Sequence, residues 1–103
     1  MPDWVIKIKK NGSCVEFEPS TLSVLNNDAV AWANYDDEPH WPVRLGCKDG
    51  TAISQTSLMP TQIAPGGTSD YYIITDNAGT DICYACSLHP DEKGLIKVVN
   101  PPS

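Results

Sequence analysis

No apolar run in this chain approaches the ~18 residues that a membrane-spanning helix needs. The opening stretch "MPDWVIKIKK" lacks the apolar core of an export signal, so any such signal is expected to be absent from this chain. Basic residues are scarce. Seven Lys and Arg against 13 Asp and Glu leave a formal charge of −6, with no basic stripe to track a phosphate backbone, so nucleic-acid binding is not expected. No long stretch sustains a 3.6-residue apolar period, which excludes an architecture of long amphipathic helices. A Ser-His-Asp order with elbow glycines is missing, which sets aside a serine hydrolase. Repeats, linkers and low-complexity tracts are missing too. Histidine occurs only 2 times and cysteine 4 times, few enough to weigh one by one.

What is present is a chain of 103 residues with 41% hydrophobic content, enough for one domain, residues 1–103, around a single core. Its 9 prolines and 7 glycines punctuate short apolar runs. Residues 4–9 alternate and read as a strand, followed by the turn signal Asn11-Gly12. Further strands are expected at 15–18, 22–25, 29–33, 41–45, 71–74, 82–86 and 95–99. Turns at Asn26-Asn27-Asp28, Pro65-Gly66-Gly67 and Asn77-Ala78-Gly79 separate several of them. Residues 46–62 carry no clear pattern. About eight short strands at close spacing predict an all-β, antiparallel sandwich or barrel.

One loop concentrates the chemistry. "CYACSLHPDEKG", residues 83–94, places Cys86, His89 and Glu92 at three-residue intervals, where a tight turn can point all three at one ion. Thiolate with imidazole suits copper or zinc, and a distant residue must complete the set. The other histidine, His40, follows an acidic loop and the rigid Pro39, and a strand begins after it. At one end of a sandwich, His40, Cys86 and His89 would form the two-histidine, one-cysteine set of blue-copper electron-transfer sites. Taken singly, the bland alternatives stand: two exposed loop histidines and a cysteine buried as a small hydrophobe.

The joint pattern resembles the cupredoxins, especially the small plastocyanin and amicyanin type, over nearly the whole chain. "FEPSTLSVLNNDAVAWANYDDEPH" is similar to the family's F-x-P, apolar strand, polar turn, V-x-W-x-N and a loop ending in P-H. "IAPGGTSDYYIITDNAGTDICYACSLHPDEKGLIKV" is similar to its P-G turn, strand, A-G-T turn and the Y-x-C-x2-H-P-x-M-x-G-x-V close. The resemblance implies an eight-stranded Greek-key β-sandwich, one copper ion held by His40, Cys86 and His89, and outer-sphere transfer of single electrons. The chain departs from the pattern at one position: Glu92 stands where the axial methionine is usual, and neither Met1 nor Met59 offers a replacement. A longer alignment of the loop would put Gly94 there and leave the axial position open. A carboxylate ligand is harder and anionic, so Glu92 would favour Cu(II), lower the reduction potential and draw copper out of the trigonal plane. The alternative is that Glu92 faces water.

Around these residues, Leu88 replaces a frequent proline and keeps an N–H that could reach the Cys86 sulfur. Trp41 follows the first histidine where a small polar residue is common; its backbone N–H could bond the same sulfur, and its ring could shield copper, offer a flat contact or simply fill the core. Cys83 and Cys86 form C-x-x-C, but on a strand they point to opposite faces, and no helix start or second C-x-x-C supports a redox pair or zinc knuckle. Cys47 ends a strand expected beside the one carrying Cys83, so a Cys47–Cys83 disulfide is geometrically open; Cys14 has no evident role. Asp36, Asp37, Glu38, Asp91 and Glu92 ring the metal end, either as a solvated loop or as a docking rim for a basic redox partner such as a c-type cytochrome, sensitive to salt. The expected protein is therefore a monomeric, periplasmic or otherwise exported electron carrier, not an enzyme, with His89 as electron port. Two rivals stand beside it: a red or type-2 copper site with an open position for a small molecule such as nitric oxide, and a copper carrier or metal-free interaction module.

Overall fold

A computed structural model describes residues 3–11, 14–47, 52–58, 62–87 and 89–101, the side chains of 3, 11, 14, 52–57 and 89–91 excepted. Nine strands form among these residues: β1 (Asp3–Asn11), β2 (Cys14–Glu18), β3 (Thr21–Val24), β4 (Ala29–Asn34), β5 (Pro42–Leu45), β6 (Ala52–Ser57), β7 (Tyr72–Ile73), β8 (Asp81–Cys86) and β9 (His89–Val98). They build a four-stranded sheet, order β2-β1-β4-β7, and a five-stranded sheet, order β3-β9-β8-β5-β6. The chain crosses between sheets at β2–β3, β3–β4, β4–β5, β6–β7 and β7–β8, the connectivity of a Greek-key sandwich.

Alternation in the sequence explains the core. Ile6 and Ile8, Leu22 and Val24, Val30 and Trp32, Ile82 and Tyr84, and Ile96 and Val98 are all buried, each pair two residues apart on one strand. Phe17 from the first sheet and Trp32 both meet the Tyr84 ring edge-on, with centroids 4.8 and 5.5 Å away, so one tyrosine joins the layers. Opposite Tyr84 on β9 stands Gly94, where any Cβ would overlap the phenol ring. Glycine is required there by packing, not by backbone conformation.

Three differences from the sequence reading have physical causes. The sandwich holds a ninth strand, β6, which pairs with β5 through an irregular register inside the stretch that had no pattern. The sheets are mixed, not antiparallel: β1 pairs with β4, and β3 with β9, in parallel. Alternation reports which face a residue takes and is silent on the direction of the neighbouring strand. Finally, β9 begins at His89, not at residue 95, and Cys86 stands opposite His89 in the register.

Cys47 and Cys83 form a disulfide, 36 residues apart in sequence. It joins the end of the β5 segment to β8, whose neighbouring register pair is Leu45 and Cys83.

Candidate metal centre

At the end of β4, Asn34 organises the loop that delivers His40. Its side chain is buried, and its Nδ2 donates to the carbonyls of Glu38 at 2.8 Å and Ile63 at 3.1 Å. Its Oδ1 accepts the Asp36 N–H at 2.9 Å. Asparagine suits this place because one side chain supplies both donors and an acceptor. His40 then exchanges two backbone hydrogen bonds with Ile63, at 3.2 and 2.7 Å, which fixes its position between the sheets. The imidazole is fully buried.

Cys86 arrives from the other side, as the last residue of β8 and the third inward-facing one after Ile82 and Tyr84. The register between β8 and β9 shifts here. Ala85 faces Lys93 while the next residue, Cys86, faces His89, so Pro90, Asp91 and Glu92 are intercalated as a bulge. The Glu92 side chain turns inward and is 8% exposed.

His40, Cys86 and Glu92 thereby converge, all three buried, with one ligand atom from each lying within 4.8 Å of the others. His40 Nδ1 is 3.1 Å from Glu92 Oε1 and 3.5 Å from Cys86 Sγ. Its other ring nitrogen, Nε2, is 2.8 Å from Asp36 Oδ2. The Trp41 N–H points at Cys86 Sγ, 3.3 Å away, and the Trp41 carbonyl accepts the Ser87 N–H at 2.7 Å. The peptide groups of residue 41 therefore tie the two loops together, although the Trp41 side chain packs on the core edge. A soft sulfur, an imidazole nitrogen and a carboxylate oxygen in one dry recess can hold a metal ion; the sulfur selects copper or zinc over magnesium or calcium.

Of the four expected ligands, the structure brings three together, His40, Cys86 and Glu92. His89 is placed by backbone register opposite Cys86, and its side chain lies outside the described residues. Leu88, Met1 and Met59 also lie outside them. Glu92 does not face water. The expected acidic rim needs correction: Asp36 and Glu92 are buried, whereas Asp37 and Glu38 are exposed. Asp36 turns inward because His40 Nε2 and the Asp37 N–H, at 2.8 Å each, offer it partners that solvent would otherwise supply. The adjacent imidazole holds the Asp36 carboxyl below the usual carboxylate range, and the Asp37 N–H and Lys10 add to this against the opposing effect of burial. Sequence reasoning missed the roles of Asp36 and Asn34. A carboxylate four residues before a candidate ligand histidine was the available signal for the first.

No protein-family model matches the chain, and no curated protein matches it. Solved structures do. A purple cupredoxin from Nitrosopumilus maritimus superposes with a TM-score of 0.70 at 23% identity, covering 91% of this chain and 97% of that one. A reduced Cu(I) form of an amicyanin mutant at pH 4 gives 0.68 at 23% identity, over 91% of this chain and 79% of that one. An oxidized amicyanin mutant gives 0.67 at 24% identity with the same coverage. The chain has the cupredoxin fold.

Proposed function

We propose that this protein is a mononuclear copper protein that carries single electrons between redox partners, with His40, Cys86, His89 and Glu92 as ligands. The observation that supports this best is the convergence of the Cys86 sulfur, His40 Nδ1 and a Glu92 oxygen in a buried recess at one end of a cupredoxin sandwich. Bound copper would supply a one-electron couple. The chain's own part is to hold the donors still. His40 is locked by Ile63 and Asp36, and Cys86 by its place in β8 and by the Trp41 N–H. Burial keeps water from the donors, which limits rearrangement between oxidation states.

A second reading, a red or type-2-like centre that binds a small molecule such as nitric oxide, is favoured by Glu92 itself. Its oxygen lies 3.1 Å from His40 Nδ1, close enough for both to share one ion as short ligands. The disulfide fits an oxidising compartment such as the periplasm. Exposed Asp37 and Glu38, with the charge of −6, fit a basic partner such as a c-type cytochrome.

Titration with Cu(II), followed by absorption and electron paramagnetic resonance, tests both readings. A thiolate-to-copper band with one equivalent bound is expected, at shorter wavelength and with larger hyperfine coupling than a blue site. Glu92→Met should shift the band toward the red and raise the potential; no change would remove Glu92 from the ligand set. A response to azide or nitric oxide would favour the open site. Absence of a thiolate band in the wild-type protein would overturn the copper assignment.

A further inference from the structure

His40 lies between two carboxylates, and only one of them belongs to the ligand set described above. We propose that Asp36 is a positioning residue for the metal centre: it holds His40 in the tautomer that turns the Nδ1 lone pair toward Cys86 and Glu92, and Lys10 on the surface sets how strongly the Asp36 charge acts on that ring. The inference deepens the copper reading and rests on it for its redox part.

The contact is short and dry. Asp36 Oδ2 lies 2.8 Å from His40 Nε2, with side-chain exposures of 1% and 0%. An ionised carboxylate accepts and cannot donate, so Asp36 and Glu92, whose Oε1 is 3.1 Å from Nδ1, compete for the ring proton of the neutral imidazole; the shorter Asp36 contact draws it to Nε2 and leaves Nδ1 as the lone-pair nitrogen. The carboxylate cannot swing away. Its Oδ1 accepts the Asp37 N–H at 2.8 Å, and its own N–H is held by Asn34 Oδ1 at 2.9 Å. A negative charge on the far side of the ring makes Nδ1 a stronger donor, which favours the more highly charged metal state. Lys10 lies outside this pair. Its Nζ is 3.8 Å from Asp36 Oδ1 and 3.4 Å from Asp37 Oδ1, and its side chain is 50% exposed. Its cation offsets the Asp36 charge from the solvent side. The metal centre thus has a line of three groups, Lys10, Asp36 and His40, that runs from water to the ligand atom.

The test uses ring nitrogen NMR on metal-free protein with His40 titrated to neutrality, together with Cu(I) affinity and reduction potential of copper-loaded protein. In the wild type, His40 should be protonated on Nε2 alone. Asp36→Ala should give mixed tautomers and weaken Cu(I) binding by about 10- to 100-fold. Asp36→Asn keeps an acceptor for Nε2–H, so it should keep the tautomer and raise the potential. Lys10→Gln should lower the potential, whereas Lys9→Gln, whose partner is Glu18, should leave it unchanged. An unaltered tautomer with affinity within twofold of wild type in Asp36→Ala overturns the positioning role. If that variant does not fold, Asp36→Asn and Lys10→Gln decide, since shifts of the same sign, or none, overturn the proposal. Equal shifts from Lys10→Gln and Lys9→Gln overturn the part given to Lys10. A protein that takes up no copper defeats the function proposed above, while the NMR comparison still decides the tautomer.

Discussion

Gly94 lies opposite Tyr84 across β8 and β9, so close that the tyrosine ring occupies the space where a Cβ would be. Tyr84 in turn bridges the sheets through Phe17 and Trp32. Gly94→Ala must therefore displace a ring that cannot move without disturbing both layers. The expected loss is about 1–3 kcal/mol, the usual cost of overpacking a filled core. Urea unfolding would measure it, and a variant as stable as wild type would show that the ring has room to retreat.

Asn34 is the hinge pin of the His40 loop. Asn34→Ala would remove the side-chain donor to the carbonyls of Glu38 and Ile63, the second of which keeps the His40 N–H, and the acceptor of the Asp36 N–H. A destabilisation of about 2–3 kcal/mol is expected, since each buried polar group left unmet costs roughly 1–3 kcal/mol. Asn34→Asp should be no better, because a carboxylate cannot donate to either carbonyl. Thermal melting of both variants checks this: an aspartate variant near wild-type stability would refute the assigned donor role.

The disulfide closes a loop of 36 residues. By the chain-entropy relation such a crosslink stabilises by about 4 kcal/mol, and measured values commonly fall at 2–4 kcal/mol. Replacing Cys47 and Cys83 together by Ala should lower the melting temperature accordingly. The absorption of the copper-loaded protein should hardly change, because Cys83 faces away from the buried donors. A lost thiolate band would show instead that the crosslink shapes the centre.

Burial raises the Tyr84 hydroxyl well above its ordinary value of 10.0. In the unfolded chain that group ionises near pH 10, while the folded protein keeps it neutral. Above pH 10 the unfolded state thus binds fewer protons than the folded one, and stability falls by up to about 1.4 kcal/mol per pH unit. Tyr84→Phe removes this contribution. Its unfolding free energy should decline less steeply between pH 10 and 11 than that of the wild type, and parallel slopes would count against the effect.

Much of the fold was legible because strand alternation writes burial directly into the chain. Ile6 and Ile8, or Ile82 and Tyr84, announce the inner face by their spacing. The spacing of Cys86, Glu92 and the distant His40 likewise announced a cluster. What stayed hidden depended on partners far away in sequence. The parallel pairing of β1 with β4 leaves no local mark. The β6 strand lies in a stretch with no apolar rhythm. Asp36 sits in a run of three acids that, read locally, belongs to solvent; only the position of His40 Nε2 draws the first of them inside. The bulge at residues 90–92, which adds residues to one strand and not to its neighbour, likewise leaves no local mark, although the inward place of Glu92 was expected.

Cys83 and Cys86 occupy one strand but carry different sulfur chemistries, the first crosslinked on one face and the second a buried thiol on the other. Only the odd number of steps between them keeps those chemistries apart. An insertion of a single amino acid between the two would bring both sulfurs to the same side of the sheet and invite the wrong bond. The number of steps between those two cysteines must therefore stay odd for the two sulfurs to remain on opposite faces.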